Sequence, residues 1–179
     1  MLRLTIPDRQ YFDDDKQEFF TVKGQTISLE HSLLSISKWE AKWHKSFLNG
    51  TNKTSEEVRD YVRCMTLTKN VEPLLYYNLT PRNMEEITTY MTDSMSATKF
   101  LVKGSNGSRE KVTSVLIYYW MISYGIPFEC QKWHLNRLMA LIKVCHRKSQ
   151  KPKKMGTKEL MARNNELNAA RRKQLGTRG

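Results

Sequence analysis

Ile117-Tyr-Tyr-Trp-Met-Ile-Ser-Tyr-Gly125-Ile-Pro127-Phe-Glu-Cys130-Gln-Lys-Trp133-His134-Leu-Asn-Arg-Leu-Met-Ala-Leu-Ile-Lys-Val-Cys145 decides the fold class of this chain. It reads as the end of one helix, a Gly-Ile-Pro corner and a second helix. Gly125 suits the left-handed conformation that closes a helix, and Pro127 suits the first turn of the next. After the corner, Phe128, Gln131, Leu135, Leu138, Met139, Ile142 and Cys145 recur three or four apart and share one face. Arg137, Lys143 and Arg147 lie off that face, so the spacing predicts an amphipathic helix of about five turns. Before the corner the chain is apolar nearly all round, which predicts a buried helix.

Upstream, helical signals dominate. Leu33, Ile36, Trp39, Trp43 and Phe47 form a stripe over Ser32–Leu48, closed by Asn49-Gly50. Thr54 or Ser55 opens a second helix through Val58, Tyr61, Val62 and Met65; Ser55 fits an N-cap, with Glu56 and Glu57 at the positive end of the helix dipole. Residues 68–80 read as short or irregular. Thr80-Pro81 opens another helix through Met84, Ile87, Tyr90 and Met91. Met95–Val102 has the pattern of a short strand, residues 103–108 that of a loop, and Ser108 caps the helix that leads into the hairpin. Strand signals otherwise cluster in residues 1–30: Leu2, Leu4 and Ile6 alternate, an acidic loop follows, and Glu18–Val22 and Thr26–Leu29 flank a turn at Lys23-Gly24-Gln25. Such a sheet of two or three strands is marginal alone, so it must pack on helices. The expected fold is mainly α, α+β in class: a body over 1–147, with a small antiparallel β element in 1–30 and helices in 31–147. A basic arm over 148–179 follows, with a polar helix from Thr157 to about Lys173.

Charge divides the chain in the same place. Up to Cys130, sixteen Lys/Arg balance sixteen Asp/Glu; from Gln131 onward, fourteen face only Glu159 and Glu166, so the whole net charge of +12 lies there. A basic quarter on a neutral body points to an acidic partner, nucleic acid or an anionic surface, with strong salt sensitivity. No apolar run approaches the roughly 20 residues that span a bilayer. The start, Met1-Leu-Arg-Leu-Thr-Ile6, lacks a basic-then-apolar leader, and three Cys is an odd, sparse set. A cytosolic protein with reduced thiols is expected, without membrane partners. The Asn-x-Ser/Thr triplets at Asn49, Asn52, Asn78 and Asn106 then carry no glycan meaning.

Candidate sites follow by chemistry. Cys130 and His134 stand four apart, with Cys145-His146 beyond, and thiolate and imidazole bind zinc. On one helix, however, Cys145 lies about 22 Å from Cys130, so core thiols are the better reading and no metal or other cofactor is expected. Asp13-Asp14-Asp15 could hold a divalent cation but reads more simply as a solvated loop. His44 and His134 each adjoin a Trp, with no carboxylate partner fixed by spacing. There is no Gly-rich phosphate loop, Gly-x-Ser-x-Gly elbow or His-Glu-x-x-His pair, and the chain reads as no enzyme. Trp39, Trp43, Phe47, Trp120 and Trp133 are candidate protein-binding anchors, set against the simpler reading that at least three fill the core. Lys151, Lys153, Lys154, Arg171, Arg172 and Lys173 are the candidate phosphate-tracking residues of the arm. No aromatic follows Trp133, so nothing there stacks on bases.

Three stretches carry a resemblance. Leu29-Glu-His-Ser-Leu-Leu-Ser-Ile-Ser-Lys-Trp-Glu-Ala-Lys-Trp43 with Ser46-Phe-Leu48 is one. Tyr118-Tyr-Trp-Met-Ile122 with Ile126-Pro-Phe-Glu-Cys-Gln-Lys-Trp-His-Leu-Asn-Arg-Leu138 is the second, and Leu167-Asn-Ala-Ala-Arg-Arg172 with Gly176-Thr-Arg-Gly179 the third. In order, and over nearly the whole length, they resemble tail-module proteins of siphophages, often described as tail assembly chaperones. The resemblance implies a non-enzymatic factor in the host cytoplasm, whose partners are the phage tape measure protein and other tail proteins. Self-association is compatible with it. A nucleic-acid-binding protein using the basic arm, or a minor structural tail or connector protein, are the alternatives.

Overall fold

The computed structural model describes residues 1–49, 52–98, 111–150 and 156–176. It is mainly helical with a small antiparallel β element, and its chain divides into Met1–His146 and Arg147–Gly179.

The β element is one long hairpin with a fold in both arms. Strand β1 (Leu2–Ile6) pairs with β4 (Gln25–Leu29), and β2 (Arg9–Asp13) pairs with β3 (Glu18–Val22). The register runs on from one ladder to the other: Ile6 faces Gln25, Arg9 faces Val22, and two residues of each arm lie between. Pro7 interrupts one arm because it has no N–H to donate. Gly24 interrupts the other, where its N–H donates to Asp8 Oδ1 at 2.5 Å. A Cβ on Gly24 would lie 2.3 Å from the Ile6 carbonyl oxygen and 2.7 Å from Asp8 N, so no other residue fits. The segment Lys23-Gly24-Gln25 is therefore a fold within one arm. The expected pairing of 18–22 with 26–29 does not form, and β2 is a strand where a loop was expected. The real turn is Asp14–Gln17, with Gln17 at φ 54° and Asp13 Oδ1 accepting from the amides of Asp15 and Lys16.

The hairpin is held by burial and by side-chain amides. Leu4, Ile6, Val22, Ile27 and Leu29 are buried in the common core. Asn78 Nδ2 donates to the carbonyls of Pro7 and Val22, straddling the interruption. The free side of β4 is met by the chain leaving the second helix: Glu30 N–H donates to Met65 O and Leu67 N–H to Ser28 O.

Helix α1 (Leu33–Trp43) starts at a capping box of Ser32 and Ser35 and stops at His44, which is left-handed. It ends five residues before the expected Leu48, because Glu40 Oε1 takes the Phe47 amide and folds the chain back over the helix. Helix α2 (Ser55–Met65) is capped by Thr54 rather than Ser55, since Thr54 stands three residues before Glu57 and completes a capping box. A short 3-10 helix occupies Pro73–Asn78. Helix α3 (Pro81–Thr92) follows a Thr80–Asn83 box, and Asn83 Nδ2 donates to Thr5 O of β1. Residues 95–98 form no strand, with Met95 at φ 46°, and the rest of the expected 95–102 strand lies outside the described residues.

Helix α4 (Ser114–Ser123) is capped by Thr113; Ser108, the expected cap, lies outside the described residues. Gly125 at φ 63° closes it. The second helix does not start at the corner. Phe128–Lys132 is a separate 3-10 turn, and α5 (Leu135–Ser149) begins only after Trp133 and His134. Tertiary contacts impose this break: His134 pairs as an isolated bridge with Ser32, and the Leu135 N–H donates to His31 O at 2.7 Å. Ile117, Met121, Leu135, Leu138 and Ile142 enter the core, but α4 is buried on one side only. In the second unit, α6 (Thr157–Leu175) closes at left-handed Gly176, and its described side chains are exposed. Among the described residues no helix is long and apolar enough to cross a membrane.

Candidate functional site

The sequence-marked aromatics separate into two kinds. Trp39 is buried and donates from Nε1 to Glu57 O at 2.8 Å. Phe47 is buried between Tyr61, stacked at 3.8 Å between centroids, and Trp39, edge-on at 5.1 Å. Both are core residues and cannot anchor a partner; the α1 stripe points inward where they sit. Trp43, Trp120 and Trp133 are half-buried. Trp43 Nε1 donates to Asp60 Oδ2 at 2.9 Å, and Arg137 lies over the Trp133 ring at 4.3 Å. These three present an edge to solvent while their bodies pack on the core.

The large exposed apolar groups are others. The β2–β3 part of the hairpin has an inner and an outer face. Tyr11 and Phe20, stacked at 5.7 Å, share the inner one, where Tyr11 OH donates to Asn78 Oδ1 at 2.7 Å and Phe20 keeps 39% of its surface in water. Phe12 and Phe19 pair on the outer face at 4.9 Å, with 44% and 74% of their surface in water. Beside them lies the acidic turn of Asp13, Asp14, Asp15 and Glu18, with Lys16 bridged to Asp13 at 3.6 Å. The second group is on α4, where Val115, Tyr119 and Ile122 face solvent. Residue patterning held a signal for the hairpin: Tyr11-Phe12 and Phe19-Phe20 put one aromatic of each pair on each face once the strands pair. For α4 there was no such signal, because an apolar outer side is indistinguishable from a buried one.

The polar interior ties these elements together. His31 Nδ1 pairs with Tyr61 OH at 2.5 Å, and its ring meets that of His134 at 5.3 Å. Asn136 N–H donates to His134 Nδ1, which leaves the proton on Nε2, donating to Tyr90 O at 3.1 Å. Tyr90 OH donates to Glu30 Oε1 at 2.6 Å, and the Met1 ammonium pairs with Glu30 Oε2 at 3.1 Å. Burial, aided by the neighbouring His134, pushes His31 down to about 4, and burial lowers His134 as well. Burial raises the Tyr61 hydroxyl well above its ordinary range. These neutral imidazoles and protonated phenols tie the hairpin, α2, α3 and the start of α5 together. Glu40 does similar work at the surface: its Oε2 accepts from Ser114 N and Oγ, at 2.8 and 2.5 Å, capping α4 from α1. Lys45 and the Thr54 amide hold the Glu57 carboxyl below the usual carboxylate range.

The metal readings take their place in this geometry. Cys130 is in the 3-10 turn and His134 in the extended joint beyond it, so the two are not one turn apart on a helix. Among the described residues no three His, Cys, Asp or Glu side chains gather into a metal-holding group. Asp13 spends its carboxylate on the turn amides and Lys16. His44 closes α1 as its left-handed cap. The clefts on either side of Arg59, which lies over Tyr77 at 4.6 Å, are about 170 and 260 Å³, below the roughly 300–1,000 Å³ of small-molecule sites, whereas the cleft beside Tyr90 and Arg82 is about 550 Å³. In the arm, Arg171, Arg172 and Lys173 are exposed near the C-terminal end of α6, where cations complement the helix dipole. Lys151, Lys153 and Lys154 lie outside the described residues.

Compared with protein-family models, with curated proteins and with solved structures, the chain matches none of them.

Proposed function

We propose that this chain is a non-enzymatic, protein-binding assembly factor, a tail assembly chaperone that holds the phage tape measure protein and other tail proteins in the host cytoplasm. The observation that carries the reading is the Phe12–Phe19 pair, held in water on the outer face of an anchored hairpin beside an acidic turn. Exposed aromatics on a rigid frame bind protein at low entropic cost. Nine Met supply adaptable apolar surface. The exposed basic helix α6 adds long-range attraction for acidic segments of a client. The resemblance of the three stretches quoted above supplies the identity of the client.

Co-expression with the tape measure protein of the same phage tests this. The intact chain should keep that partner soluble and copurify with it. The double variant Phe12→Ser/Phe19→Ser should lose the association while its circular dichroism stays unchanged. Absence of association by the intact chain refutes the reading.

Arg171, Arg172 and Lys173, exposed together, favour nucleic-acid binding as the second reading. A salt titration separates the two. Binding to duplex DNA should weaken by about 0.9 log units per phosphate contact per log unit of salt, and no binding at low salt removes this alternative. A minor structural role would be revealed by the protein in purified virions, from which a chaperone is absent.

A further inference from the structure

Helix α4 packs on α1, where Ser114 bonds Glu40, and its buried side carries Ser114, Ile117 and Met121. On its opposite side Val115, Tyr119 and Ile122 stand at i, i+4 and i+7, one line along two turns. They are 74%, 62% and 64% exposed. Phe128, 54% exposed, lies against Tyr118 at 6.3 Å and widens the line toward the 3-10 turn. A surface helix ordinarily turns charged or polar residues to water. Here no charged residue occurs from Val112 to Phe128. A contiguous apolar patch of this kind marks a contact surface.

We propose that the outer line of α4 is where two copies of this chain meet, antiparallel across a two-fold axis. Charge opposes a second copy overall, since two chains of net charge +12 repel, but this uncharged stretch is a face on which they can touch without placing like charges opposite one another. Pattern points to a second copy. A two-fold interface must be self-complementary. The line reads branched aliphatic, aromatic, branched aliphatic from either end, so a two-fold centred near Tyr119 sets Tyr119 on Tyr119 and Val115 on Ile122. Antiparallel helices also oppose their dipoles favourably. Four part-exposed side chains present less area than the about 800 Å² per partner of a standard interface, so a weak, concentration-dependent dimer is the expectation. The inference stands apart from the chaperone reading, which uses the hairpin and the arm.

Sedimentation of the full chain over a concentration series, at low and high salt, tests it. A monomer–dimer equilibrium that tightens as salt rises is expected, because screening removes the repulsion and leaves the apolar contact. Ile122→Glu should weaken the dimer at least tenfold, with circular dichroism and Tm unchanged. In a Cys64→Ser/Cys145→Ser background, Tyr119→Cys should cross-link to a dimer under mild oxidation, and the background alone should not. This arm decides the matter if Ile122→Glu fails to fold. A chain that stays monomeric throughout, a dimer indifferent to Ile122→Glu, or an association that weakens as salt rises would each overturn the proposal.

Discussion

Acidification should loosen this fold through His31 before the Glu57 and Asp60 carboxylates lose their contribution. The imidazole is buried against Tyr61, Phe47 and His134, and it is neutral in the folded chain because burial and His134 push it down from 6.5 to about 4. The unfolded chain binds that proton near pH 6.5, and the folded chain does not until about pH 4. Stability is therefore complete above 6.5 and falls as pH drops through this window. The slope approaches 1.4 kcal/mol per pH unit and the total for His31 is about 3 kcal/mol. His134, also lowered, adds in the same direction; the nearby Glu30 and Asp93 moderate its shift. The Asp60 and Glu57 carboxylates are shifted below their ordinary values and lose their contribution only at lower pH, so the two effects are ordered. Urea unfolding at half-unit steps from pH 7 to pH 4.5 measures the fall. His31→Gln should flatten most of it, leaving the share of His134. A stability constant across the window, or a His31 ring signal titrating near 6.5 in the folded protein, would refute the assignment.

Glu40→Gln should cost about 1.5–3 kcal/mol by urea unfolding, since it weakens charge-assisted bonds to Ser114 and the Phe47 amide; Ser114→Ala, which removes only the hydroxyl bond, should incur only part of that loss. Gly24→Ala should cost about 2–4 kcal/mol or prevent folding, because its Cβ meets Ile6 O at 2.3 Å. Trp39→Ala should cost about 3–5 kcal/mol by the same assay, as for other large buried aromatics, while losing the hydrogen bond to Glu57 O. Deleting residues 149–179 should leave the Tm of the body within a few degrees of the intact chain and reduce retention on an anionic resin.

The parts of this fold legible in sequence are those set by neighbours along the chain. Thr80-Pro81 opens α3, Gly125 closes α4, and the polar run from Thr157 forms α6, because capping, proline and glycine act within a few residues. The charge break likewise needs only counting. Where α1 ends and α5 begins was not legible. Glu40 reaches seven residues on to the Phe47 amide, and His31 O captures the Leu135 amide from over a hundred residues away. The anchor set divided for the same reason: Trp39 and Phe47 are inside because Tyr61 of α2 closes over Phe47.

Sequence alone determined a mainly helical chain with an N-terminal β element and a polar, basic final helix, since periodicity, caps and composition are local properties of residues. Tertiary structure alone decided which strands pair, turning the expected sheet of two or three strands with a turn at Lys23-Gly24-Gln25 into one folded hairpin, because antiparallel pairing is chosen by which register buries Leu4, Ile6, Ile27 and Leu29 together. It also decided which apolar surfaces stay open. The hydrophobic effect makes Val115, Tyr119 and Ile122 as ready for a core as Ile117 and Met121, and only the tertiary packing, which seats one side of α4 on the body, leaves the first three in water.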